Sequence, residues 1–180
     1  DIAFQRVKEA VIGLISRSSG YSINKVLFVM GNDILHVDNK GNTTTGGTPQ
    51  DVSLMWYDAF KMAQRLLIEC IELLVQVAPA HFIYNPSNHD MTSGFYLAQV
   101  IEAWFSKSKE ITFDISPSHR KHFRYYNNLI GTTHGDGAKD VDLPMLMAHE
   151  SKEWSECKHK YFYTHHIHHK KSRDYMSVNV

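Results

Sequence analysis

The chain has 180 residues, with 19 basic and 19 acidic side chains, so it carries no formal net charge when histidine is neutral. That length suits one domain around a single core, and a composition 43% hydrophobic and 21% charged excludes a disordered tail. No global basic field recruits nucleic acid, the two cysteines are too far apart in the chain for a disulfide framework or a cysteine-built zinc site, and no apolar run is long enough to span a bilayer. No signal peptide is visible, so a reducing, cytoplasmic setting is expected. The excess to be explained is histidine: there are 12, and histidine is the commonest metal ligand.

Apolar residues at Ile2, Phe4, Val7, Val11, Leu14 and Ile15 recur close to every 3.6 positions and predict a helix from Ile2 to Arg17. Because the chain starts with Asp1 and runs straight into this helix, it is expected to begin partway into a larger protein. Lys25 to Met30 is a continuous apolar run, the mark of a buried strand. Gly31 to Gly47 is polar loop. Thr48-Pro49-Gln50-Asp51 reads as a helix start, with a long helix from about Val52 to Val77. His81 to Tyr84 predicts a strand, Asn85 to Asp90 a loop, Met91 to Phe105 a helix and Ile111 to Ile115 a strand. His122 to Tyr126 and Leu129 to Thr133 predict a hairpin turning at Asn127-Asn128. Leu143 to Trp154 predicts a helix and Lys160 to Thr164 a strand, and Tyr175 to Val180 is placed to begin another. Strands alternating with helices, with one late hairpin, predict a single α/β domain with mixed sheets.

Polar clusters sit where strands end. The first strand runs into Gly31-Asn32-Asp33 and on to His36 and Asp38. The second runs into Asn88-His89-Asp90, the hairpin into His134-Gly135-Asp136, and the late strand into His165-His166-Ile167-His168-His169. In layered α/β proteins, sites form outside the carboxyl ends of strands. Carboxylate, amide oxygen and neutral imidazole together suit zinc, manganese or iron.

This order of motifs, GND, SNHD, THG and HHIH, resembles the calcineurin-like metallophosphoesterases. Their run is DxH, GDxxD/H, GNHD/E, a lone histidine, then GHxH. The segments GNDILHVDN, TTTGGTPQD and GTTHGDG look most like the branch found in phage and prophage genomes. The likeness extends from about Val26 to His169. It implies a four-layer α/β/β/α sandwich of two mixed sheets and a centre of two divalent metals, manganese first, zinc or iron next. One metal falls to Asp33, Asn88, His134 and His166, the other to Asp33 and His168. The resemblance gives His89 the proton transfer to the leaving group and Asp90 the orientation of that imidazole. It implies hydrolysis of phosphate esters, either as a nucleic acid phosphodiesterase or as a phosphatase or cyclic-nucleotide phosphodiesterase.

The departures are specific. Asn32 splits the GD pair, Ser87 and His165 replace glycines, and Asp-x-His occurs nowhere. The expectation is therefore a chain truncated at its first strand, with an incomplete first-metal site and an exposed sheet edge open to self-association. The alternative is a metal-binding fragment, or a decayed prophage protein, without turnover. His36, beside the bridging carboxylate, and Lys170 and Lys171, in a basic stretch, are candidates for touching substrate. Ordinary roles compete with these. Asp33 serves as a turn former, Asn88-His89-Asp90 as a cap for the next helix, and the lysines as a solvated face.

Overall fold

The computed structural model describes residues 2–31 and 33–180; Asp1 and Asn32 lie outside the described residues. The amphipathic first segment forms α1 (Ile2–Arg17). Then come β1 (Val26–Met30), α2 (Trp56–Val75), β2 (Ala80–Tyr84), α3 (Met91–Trp104) and β3 (Ile111–Asp114). The second half holds β4 (Arg120–Tyr125), β5 (Asn128–Thr133), α4 (Leu143–Glu150), β6 (His159–Tyr163), β7 (Asp174–Tyr175) and β8 (Val178–Asn179).

The protein is α/β, with two sheets and four helices among the described residues. The first sheet has the order β1-β2-β3, and both of its pairings are parallel. This corrects the expectation of two mixed sheets. Helices connect β1 to β2 and β2 to β3, so each strand returns in the same direction. The second sheet, β4-β5-β6-β8-β7, is mixed: β4 and β5 form an antiparallel hairpin, and β6 lies parallel to β5.

Strand alternation sorts the two faces of the first sheet. Val26, Phe28, Met30, Ala80, Phe82 and Tyr84 join Ala63, Leu67 and Ile71 of α2 and Leu97 and Ile101 of α3 in one core. The opposite face meets the second sheet. There the His81 and Phe123 rings lie 5.0 Å apart, and Lys121 reaches Asp114 Oδ1 at 3.1 Å. Lys121 is buried, and Ser116 supplies two further acceptors, its carbonyl oxygen at 2.6 Å and Oγ at 2.7 Å, so each ammonium proton has a partner. The far side of the second sheet packs Leu129 and Phe162 on Leu143 and Met147 of α4. α1 rests on α2 through Phe4, Leu66 and Cys70.

β1 is an edge: among the described residues no strand pairs with its other side. An apolar groove of about 240 Å³ lies there, lined by Val11, Leu14 and Ile15 of α1 and by Val26, Leu27 and Phe28. No helix among the described residues is long and apolar enough to cross a membrane.

Three local expectations shift. Thr48-Pro49 does not open α2. Thr43 and Pro49 form an isolated antiparallel bridge, and Thr48 N donates to Thr44 Oγ1 at 3.1 Å. The main chain of Thr48 is engaged in this small turn, with its carbonyl accepting from Thr44 N at 2.9 Å, and α2 starts at Trp56. The hairpin turns at Tyr126-Asn127, with Tyr125 paired to Asn128. α4 stops at Glu150 because Ser151 adopts an extended backbone.

Candidate metal centre

The parallel pairs β1/β2 and β5/β6 bring four carboxyl ends to one edge of the stacked sheets. The approach is close. A Cβ on Gly31 would lie 2.7 Å from both Cβ and the carbonyl oxygen of Asn85, so only glycine lets the end of β1 pass the end of β2. Two bonds tie the sheets at this edge: Thr132 Oγ1 donates to Asn85 Oδ1 at 3.3 Å, and His134 Nδ1 donates to the Gly31 carbonyl oxygen at 2.7 Å.

His134 is the centre of the cluster and is 0% exposed. A carbonyl oxygen has no proton to give, so Nδ1 carries the ring hydrogen, and in the neutral ring Nε2 is a lone pair. That nitrogen faces Asn88 Oδ1 at 2.8 Å, His166 Nδ1 at 3.0 Å and Asp33 Oδ1 at 3.6 Å. Asp33 Oδ1 is buried and has no hydrogen-bond partner. Acceptors of this kind, turned on one another in a buried space, repel unless a cation or shared protons lie between them. Donors that share one cation at about 2.1 Å are themselves about 3 Å apart, close to the spacing here. The ligand atoms of Asp33, His134 and His166 all lie within 4.8 Å of one another. The residues present therefore fit a divalent ion.

The loop after β6 is held in place by main chain. The amides of His165 and His166 both donate to the His134 carbonyl oxygen at 2.8 Å. His165 Nε2 is buried without a partner, and burial pushes this imidazole below the usual histidine range, with His134 beside it adding to the effect. His168 Nε2 lies 3.9 Å from Asp33 Oδ2, on a side chain 71% exposed. Asp33, His36 and His168 all have positive φ, 56°, 65° and 51°. Such left-handed backbone is uncommon away from glycine and is held only where surrounding bonds enforce it.

His89 stands apart from the cluster in its contacts. Its Nδ1 donates to the His36 carbonyl oxygen at 3.1 Å, and its ring stacks on that of His36 with centroids 5.3 Å apart. The free nitrogen of His89 is then Nε2.

Asp90 does not orient His89, contrary to the expectation. It is 3% exposed, and both of its oxygens are engaged elsewhere: Oδ2 accepts from Leu35 N at 2.7 Å and Oδ1 from the Ser87 hydroxyl. Burial pushes its carboxyl above the usual range, and those two hydrogen bonds offset only part of the effect. The group that fixes the His89 imidazole is main chain, which no residue-type motif reveals. Lys171 pairs with Asp140 at 2.7 Å, so it is already partnered, and Lys170 is exposed.

Sequence reasoning placed Asp38 near the site, either touching metal or substrate or only shaping the loop. In the structure its carboxylate accepts from Ser93 N at 2.6 Å, Thr92 N at 3.2 Å and Thr45 Oγ1 at 2.9 Å. Burial raises this carboxyl, but those hydrogen bonds outweigh it and hold the group below the usual range. No protein-family model matches the chain, and no curated protein and no solved structure proves similar to it.

Proposed function

We propose that the protein is a metal-dependent hydrolase of phosphate esters, with its ion held by Asp33, Asn88, His134 and His166. One observation carries this reading: the buried His134 Nε2 faces three further ligand atoms, and the Asp33 oxygen among them has no hydrogen-bond partner. The arrangement is in keeping with the metallophosphoesterase likeness of the four motifs, as is the layering of helices outside two stacked sheets. Asp33 turns its two oxygens towards different histidines, Oδ1 to His134 and Oδ2 to His168, which favours a bridging role between two ions.

Divalent ions, if held here by Asp33, Asn88, His134, His166 and His168, would supply Lewis acidity towards the phosphoryl group and towards water. Manganese is the first choice, with zinc and iron next, because oxygen and imidazole donors suit all three. The chain's own residues do the rest. His134 holds its metal-facing lone pair in register through the Gly31 carbonyl. His89, as the imidazolium, would give its Nε2 proton to the leaving group and be left as the neutral Nδ1–H ring that the His36 carbonyl holds. A nucleic acid phosphodiester is the substrate class we favour, on the likeness of the segments GNDILHVDN, TTTGGTPQD and GTTHGDG to the branch found in phage and prophage genomes.

A second reading, a metal-binding domain without turnover, has one observation behind it: His168 is the only histidine paired with Asp33 Oδ2 among the described residues, and it is exposed. Hydrolysis of bis-p-nitrophenyl phosphate with manganese separates the two. Activity abolished by Asp33→Ala and by His89→Ala is expected. Manganese binding without hydrolysis supports the second reading, and activity that survives Asp33→Ala refutes the site.

A further inference from the structure

α3 opens with main-chain N–H groups that no helix carbonyl accepts. Its own N-cap residue, Asp90, makes no side-chain cap bond. The caps come from the loop after β1 instead. Met91 N donates to Thr45 Oγ1 at 3.0 Å, Thr92 N to Asp38 Oδ2 at 3.2 Å and Ser93 N to Asp38 Oδ1 at 2.6 Å. The Thr45 hydroxyl in turn donates a hydrogen bond to Asp38 Oδ2 at 2.9 Å. Asp90 returns the bond by accepting from Leu35 N at 2.7 Å. Two carboxylates have thus exchanged loops, and a negative charge from outside the helix sits at its positive end.

The exchange reaches the site through four more bonds. Thr45 N donates to the Asn88 carbonyl oxygen at 3.3 Å, Ser93 Oγ to that of Val37 at 3.2 Å and His89 Nδ1 to that of His36 at 3.1 Å. Asp38 N donates to the Thr43 carbonyl oxygen at 2.8 Å, which folds the loop so that Asp38 and Thr45 meet. Asn88 and His89 lie just before the N-cap residue Asp90, so where α3 begins decides where their side chains point.

We infer that Asp38 and Thr45 are positioning residues: by capping α3 from the β1 loop they set the direction of Asn88 and the tautomer of His89. The inference rests on the roles proposed above for those two residues, but its primary readout does not. In the metal-free protein, nitrogen-15 NMR of the histidine rings reports the His89 tautomer, with His89→Ala identifying the resonance. Wild type is expected to hold the Nδ1–H form. Asp38→Ala is expected to release that preference, to speed amide exchange at Thr92 and Ser93 at least tenfold and to weaken manganese binding about tenfold. Asp38→Asn, which keeps one carbonyl oxygen, should restore part of each effect. Where Asp38→Ala does not fold, Thr45→Val and Asp38→Asn carry the same readouts. Faster amide exchange with an unchanged His89 tautomer means an ordinary helix cap and overturns the inference. A wild type that binds no manganese sinks the metal reading, and the tautomer still decides the positioning role.

Discussion

The two oxygens of Asp33 look out on unlike surroundings. Oδ1 is buried and faces the closed side, shared with the half-buried Asn88 and His166 and with His134, which is wholly buried and held from behind by the Gly31 carbonyl. Oδ2 faces His168, which is 71% exposed and sits on a left-handed backbone within the loop between β6 and β7. The difference teaches that ligand type alone does not make a binding site. Preorganisation does, because the entropy of ordering a ligand is met during folding on the closed side and at the moment of binding on the open one.

The sharpest way to break this comparison is to remove one histidine from each side. His134→Ala should weaken manganese binding by roughly a hundredfold or more, since it deletes a ligand and frees the Gly31 carbonyl. It should also lower stability by about 2–4 kcal/mol, through the cavity and the unpaired carbonyl left behind. His168→Ala should cost less than tenfold in the same titration, with stability within about 0.5 kcal/mol of wild type. Calorimetric titration and urea unfolding measure both quantities. Equal losses from the two variants would erase the distinction between the sides.

Much of this centre was legible in the sequence, for a physical reason. Strand periodicity placed the four polar clusters at strand ends, and parallel strands put those ends together; hence Asp33, Asn88, His134 and His166 meet. What sequence could not supply were interactions between segments distant in the chain. The cap of α3 comes from Asp38, more than 50 positions upstream, so the local pattern Asn88-His89-Asp90 pointed to the wrong carboxylate. Likewise the Thr48-Pro49 helix signal lost to a bridge between Thr43 and Pro49, because a nonlocal pairing outweighed a local propensity. The all-parallel character of the first sheet followed from its helical crossovers, and the late hairpin had no bearing on it.

A second test moves the closed side without touching a ligand. Gly31→Ala sets a Cβ 2.7 Å from Asn85 main and side chain, where no flexible side-chain end can yield. The end of β1 must then withdraw from β2. We expect a loss of about 2 kcal/mol in urea unfolding, the scale of overpacking strain. Manganese binding should weaken as well, because the Gly31 carbonyl holds His134. Retained affinity in a destabilised Gly31→Ala protein would show that the His134 lone pair is not set from that carbonyl.

The smallest effect concerns acid, which attacks the closed side in two ways at once. Protons would compete with the proposed ion at His134 and His166, and they would also weaken the fold itself. The second contribution can be isolated at His122, a histidine outside the centre. His122 lies edge-on to Phe162, its Nε2 is buried without a partner, and burial pushes its imidazole below the usual range. Glu150 opposes that shift and Arg120 adds to it. A histidine depressed in the folded state contributes stability above its unfolded value of about 6.5, and that contribution is lost as pH falls through the folded value. In metal-free protein the urea midpoint of wild type should therefore fall more between pH 7 and pH 5 than that of His122→Gln, whose side chain does not titrate. Parallel slopes would mean that His122 takes up its proton as readily folded as unfolded. Acid loss of manganese could then not be corrected for the fold in this way, and the contrast between the two sides of Asp33 would have to be read at neutral pH alone.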